Sequence, residues 1–270
     1  MKELKQLQTQ RGKFRVALAG PKDAPVLVFS NSLGTTLDMW APQLSFFSKN
    51  FRVLLYDTRG HGGSEISSAP YTFDGLGQDV LAILDALEIR KAAFCGLSMG
   101  GHIALWLGIH AADRIHAIVA CNTAAKIGTQ QAWQERAELL RNQGQDAMQQ
   151  LAKTAPMRWF TTQFTKQQST VVQQMQQQLA EIDPLGYAAC CDALGSSDLR
   201  NDIAKITIPT LILTGDKDPV TTVQDAQELQ KAITSSRLAV LLASHISNIE
   251  AKQAFNEVVG GFLGQEAPSN

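Results

Sequence analysis

Residues 14–19, 26–30, 52–56, 92–95, 115–121, 208–214 and 238–242 are short apolar runs, most of them bounded by Gly, Pro, Asn or Asp. Runs that are apolar at consecutive positions predict strands buried on both faces of a sheet. Stretches with a helical period separate several of them. In 72–87, Leu76, Val80, Ile83, Leu84 and Leu87 share one helical face, and 99–109 and 223–233 also read as helices. A last helix puts Phe255, Val258, Val259 and Phe262 on one face, ahead of a tail from 265 to 270 expected to fray. Strand alternating with helix predicts an α/β fold, a mostly parallel sheet with helices on both sides.

That rhythm breaks between residues 123 and 195. The stretch is rich in Gln, Ala and Met, shows no strand pattern, and predicts helices at about 130–142, 145–154, 167–182 and 184–194. Its glutamine run is biased in composition, yet Val172, Met175 and Leu179 keep helical spacing, which argues for order. The expected organisation is a core of 1–122 and 196–270 with a helical cap, 123–195, inserted as a lid.

Composition narrows the class. A chain of 270 residues with 44% hydrophobic content can bury one large core, and a net charge of −1 with interspersed signs offers no nucleic-acid surface. The polar start, the lack of a membrane-length apolar run and four cysteines without metal or disulfide-framework spacing predict a reduced, cytoplasmic protein. No metal or other cofactor is expected.

The chemistry gathers in the loops that follow strands. Gly96-Leu97-Ser98-Met99-Gly100 joins a strand to a helix and fits the G-x-S-x-G elbow, in which a sharp turn lifts a nucleophilic serine above a helix N-terminus. The bland reading is a glycine-rich turn whose serine caps a helix. Context favours the elbow, because later loops supply Asp216 or Asp218 and then His245, giving the order Ser, Asp, His. A hydroxyl needs a base to take its proton, and imidazole titrates near working pH. A carboxylate on the other ring nitrogen fixes the tautomer. Asp218 is preferred over Asp216, which sits against Gly215 where an Asx-type turn bond is the ordinary expectation. Asp218 precedes Pro219, expected to open the next helix. The oxyanion donors are read as the backbone N–H groups of Met99 and of Leu33, in the Asn31-Ser32-Leu33-Gly34 loop. Asp57, Arg59 and His61 in the turn-rich loop 57–64 are read as structural, and His102, His110 and His116 as satisfied structural histidines.

These motifs give the chain its resemblance. Gly96 to Gly101 and Asp57-Thr58-Arg59-Gly60-His61-Gly62-Gly63-Ser64 resemble the α/β-hydrolase superfamily from end to end. More narrowly, Asn31-Ser32-Leu33-Gly34-Thr35, Gly215-Asp216-Lys217-Asp218-Pro219, His245-Ile246-Ser247-Asn248-Ile249-Glu250 and Arg158-Trp159-Phe160 are similar to the 3-oxoadipate enol-lactonases of the β-ketoadipate pathway. Ser244 departs from the glycine usual before the histidine. The resemblance implies an eight-stranded sheet and a serine hydrolase that opens a small carboxylated enol-lactone. General carboxylesterase, C–C bond hydrolase and non-catalytic receptor remain the other readings. A carboxylated substrate needs a buried cationic partner, for which the cap offers Arg136, Arg141 and Arg158. Trp133 and Arg136, three residues apart on a predicted helix, are the chosen corner, with Trp159 as a second wall.

Overall fold

The computed structural model describes residues 3–68 and 70–266. Its sheet has eight strands: β1 (Glu3–Thr9), β2 (Gly12–Ala19), β3 (Val26–Ser30), β4 (Arg52–Tyr56), β5 (Ala92–Leu97), β6 (Ile115–Cys121), β7 (Thr210–Gly215) and β8 (Ser236–Leu241). Their order is β1-β2-β4-β3-β5-β6-β7-β8, with β2 antiparallel to both neighbours and every other pairing parallel. β3, β5, β6 and β7 are almost wholly buried, as strands covered by helices on both faces must be. β1 was not foreseen. It is an edge strand, mostly exposed and polar, held by its ladder to β2 rather than by an apolar face.

The helices are α1 (Ala41–Phe47), α2 (Phe73–Ala86), α3 (Met99–His110), then α4 (Gln130–Gln143), α5 (Gln145–Thr154), α6 (Pro156–Trp159), α7 (Thr162–Gln167), α8 (Ser169–Ala180) and α9 (Pro184–Ser196), and finally α10 (Val223–Ala232), α11 (Ser247–Glu250) and α12 (Lys252–Gln265). The six from α4 to α9 form one insertion between β6 and β7. The helix expected over 167–182 is α8, and the short α7 before it was not foreseen. Gln168 leaves helical geometry at φ −121° and ψ 41°, and Thr161 caps the separate α7 by accepting from Phe164 N–H at 3.2 Å. Pro219 does not open the helix after β7; Thr222 caps α10 in a reciprocal box with Asp225. The short α1, α6 and α11 carry too few turns to show a period. The tail beyond Glu266 lies outside the described residues.

Chain order reverses direction at β3, which pairs β4 on one side and β5 on the other. A parallel sheet opens a crevice beyond its strand C-termini at such a switch. Ser30 pairs with Gly96 and Leu97 with Cys121, so the segments starting at Asn31, Ser98 and Asn122 leave the sheet side by side. No helix among the described residues is long and apolar enough to cross a membrane.

Candidate active site

The elbow is built by close backbone approach. Ser98 sits at φ 58° and ψ −114°, strained for a residue with a side chain. A Cβ on Gly96 would lie 1.9 Å from Gly100 O, and one on Gly100 would lie 2.3 Å from Ser30 O, so only glycine lets α3 start that close to the sheet. Ser98 N–H donates to Cys121 O at 2.8 Å and Thr123 Oγ1 to Ser98 O at 2.9 Å, which hold the strained residue from the neighbouring strand. Its hydroxyl caps nothing and makes no hydrogen bond with any described residue, so the helix-cap alternative fails.

Asp218 and His245 meet across the ends of β7 and β8. His245 Nδ1 lies 2.8 Å from Asp218 Oδ2, both side chains buried. Asp218 Oδ2 also accepts from Asn122 Nδ2 at 2.9 Å and Thr221 Oγ1 at 2.8 Å, while Oδ1 accepts from Val220 N–H at 2.8 Å and Thr221 N–H at 3.1 Å. Burial pushes its pKa up, but His245 and these donors outweigh burial and hold it below the ordinary carboxylate value. An ionised Asp218 keeps the proton on Nδ1 and leaves Nε2 as the free base. Asp216 lies elsewhere. Its carboxylate accepts from Ala243 N–H at 3.1 Å and pairs with Lys217 at 3.3 Å.

The 31–34 loop is tied to the elbow: Gly100 N–H donates to Asn31 O at 3.1 Å, and Asn31 is fixed through Tyr56 O and Trp40 Nε1. Gly34 N–H donates to His61 Nε2 at 2.9 Å. His61 is therefore neutral, and burial lowers its pKa to about 4. The N–H groups of Leu33 and Met99 have no partner among the described residues.

A cavity of about 190 Å³ joins these parts to the insertion. Ser32, Leu33, Ser98 and His245 line its floor; Trp133, Arg136, Arg158, Trp159, Leu179 and Tyr187 line the insertion side. The Arg136 guanidinium stands 4.9 Å from the Trp133 ring centre. Burial first, and then the charge of Arg136, lower the pKa of Arg158. Neither arginine is paired with a carboxylate among the described residues. Arg141 is a different case. It pairs with Asp192 away from the cavity.

Comparison with known proteins fits this geometry. The α/β hydrolase fold family model matches residues 25–252. The chain belongs to the α/β-hydrolase family. It is 48% identical over 253 residues to 3-oxoadipate enol-lactonase 2 of Acinetobacter baylyi, covering 94% of each chain. Against 3-oxoadipate enol-lactonase 1 of the same organism it is 44% identical, covering 95% of this chain and 96% of the relative. The crystal structure of the enol-lactonase from Burkholderia xenovorans LB400 superposes with a TM-score of 0.93 at 41% identity, covering 96% of this chain and all of that one.

Within this α/β hydrolase, other residues of the motif stretches are structural supports. Asp57 accepts from Leu37 N–H at 2.7 Å and Gly63 N–H at 2.9 Å, and Arg59 pairs with Asp79 at 2.7 Å. His102 is satisfied, but not His116: its Nδ1 is buried without a partner among the described residues, and burial, then the charge of Lys91, lower its pKa. Sequence reading missed Asn122 and Thr221. Thr221 had a usable signal, a hydroxyl three residues after Asp218. Asn122 had a weaker one, a residue tolerant of left-handed backbone directly after a strand, where its φ is 45°.

Proposed function

We propose that this α/β hydrolase opens a small enol-lactone bearing a carboxylate, the 3-oxoadipate enol-lactone its relatives are named for, using Ser98, Asp218 and His245. The observation that carries the reading is one cavity holding a serine at a strained elbow, an aspartate-bound imidazole and two arginines without carboxylate partners. A substrate carboxylate supplies the missing counter-charge, with Arg136 on the Trp133 face, Arg158 lining the same cavity and Trp159 as a second wall. The insertion 123–195 serves as the lid that excludes water over it.

Ser98 Oγ attacks the lactone carbonyl as His245 Nε2 takes its proton, and the N–H groups of Leu33 and Met99 hold the oxyanion. Collapse breaks the ring C–O bond and expels an enol oxygen, which accepts the proton from His245. An enol is a better leaving group than an alkoxide, and its tautomerisation to a ketone disfavours reclosure. Water deprotonated by His245 then releases the acid from Ser98. Comparing hydrolysis of the enol-lactone with that of a neutral aryl ester tests the reading. A preference for the enol-lactone in kcat/KM is expected; equal or better use of the neutral ester would favour a general carboxylesterase.

A further inference from the structure

The loop that carries His245 is sewn to the insertion on both sides of the histidine. On one side Ser244 N–H donates to Glu250 Oε2 at 2.8 Å, and the other oxygen of Glu250 accepts from Thr161 N–H at 3.2 Å and from the Thr161 hydroxyl. On the other side Ile246 N–H donates to Trp159 O at 2.9 Å. Ser244 Oγ adds a longer bond to Arg158 O at 3.4 Å, a link that a glycine at this position could not make. The segment so fastened, 158–161, is the one that presents Arg158 and Trp159 to the cavity. Glu250 itself is absent from the cavity lining and from the triad. Its carboxylate bridges two elements nearly ninety residues apart in sequence, 161 and 250.

We propose that Glu250 is a positioning residue that couples the carboxylate corner to the catalytic base, an inference that rests on the reading of that corner given above. Through Glu250, a ligand that pulls on Arg158 and Trp159 sets the peptides flanking His245, and with them the direction of Nε2 toward Ser98. Part of the binding energy of the remote carboxylate is thereby realised in the reacting geometry, so it raises kcat as well as lowering KM.

The test is a pair of activated esters that differ by a terminal carboxylate, mono(4-nitrophenyl) adipate and 4-nitrophenyl hexanoate, with kcat and KM measured separately. In the unmodified enzyme the carboxylated ester is expected to have the lower KM and a kcat about tenfold higher. Glu250→Ala should bring the two kcat values together while the KM difference persists, and Thr161→Val, which removes the hydroxyl bond to Glu250 together with the α7 cap but keeps the Thr161 N–H bond, should give an intermediate ratio. If Glu250→Ala does not fold, Glu250→Gln and Thr161→Val carry the comparison. Equal loss of kcat on both esters would overturn the coupling and leave Glu250 a structural brace. A KM preference with no kcat preference in the unmodified enzyme would overturn the coupling while sparing the carboxylate corner. No preference in either constant would overturn both.

Discussion

The sheet side of the cavity and its insertion side treat polar groups in opposite ways. At the strand ends the candidate acid is saturated: Asp218 accepts from His245, Asn122, Thr221 and two backbone N–H groups. Arg59, the guanidinium of the 57–64 loop, is likewise paired with Asp79. On the insertion side, Arg136 and Arg158 share the cavity with no carboxylate between them, and burial together with mutual repulsion already lowers the pKa of Arg158. Saturation fixes a geometry that must be the same at every turnover. An unpaired, half-buried charge is costly by itself and is repaid by a ligand of opposite sign. On the proposed function, the sheet carries the reaction and the insertion selects what enters it.

The largest effects should come from the sheet side. Ser98→Ala and His245→Ala are each expected to lower kcat by on the order of 10⁴–10⁶, with the double variant little worse, because residues of one catalytic unit are not additive. A Ser98→Ala enzyme with near-normal turnover would transfer the reaction to direct attack by water. Asp218→Asn should cost on the order of 10⁴ in kcat through the wrong imidazole tautomer. Asp216→Asn, whose carboxylate serves Ala243 N–H and Lys217, should stay within a few-fold. The reverse ranking in steady-state kinetics would exchange their roles.

The join between the two regions should appear in stability. His102, in α3, lies 2.9 Å from Ala124 O and 2.7 Å from Ser197 Oγ, the two chain segments where the insertion leaves and re-enters the core. With a carbonyl as its Nδ1 partner, Nδ1 donates and Nε2 accepts from Ser197, so the ring is neutral. Burial lowers the pKa values of His102 and His61 from the ordinary 6.5 to about 4. Unfolded imidazoles bind protons below about 6.5, whereas these two in the folded chain do so only around 4. Stability is thus intact above that window and falls as pH drops through it, by roughly 3 kcal/mol per histidine at its lower end. Urea unfolding between pH 7 and 4.5 checks this. His102→Gln, less stable at neutral pH, should show a shallower acid slope, and an unchanged slope would place the proton uptake elsewhere.

The smallest expected effect tests selection. Arg136→Gln should weaken kcat/KM on the carboxylated lactone by about 10- to 100-fold, the size of one charge-assisted bond, and hardly alter a neutral aryl ester. Equal losses on both would mean damage to the insertion as a whole. No loss on either would shift the carboxylate to Arg158, tested by Arg158→Gln.

Local sequence determined those parts of this protein whose physics is local. Consecutive apolar runs marked seven of the eight strands; the interior ones are legible because a doubly covered strand has no polar face to disguise it, and β8 kept an apolar run although it is partly exposed. The glycines of the elbow marked the turn at Ser98, because only they allow the backbone approach found there. The order Ser98, Asp218, His245 followed from the motif loops, and Trp133 and Arg136 stack as their three-residue spacing on α4 predicts. Tertiary structure alone decided what depends on partners far along the chain. β1 reads as a polar segment until β2 lies beside it. Asn122 becomes a support for Asp218 only when β6 and β7 are adjacent, and Glu250 a bridge only when 161 folds over 244. The fate of the three insertion arginines was also tertiary. Asp192 is fifty-one residues from Arg141 and pairs with it, whereas nothing in the described chain offers a carboxylate to Arg136 or Arg158. Charge and residue type are written in the sequence; whether a charge has a partner is a property of the packed chain.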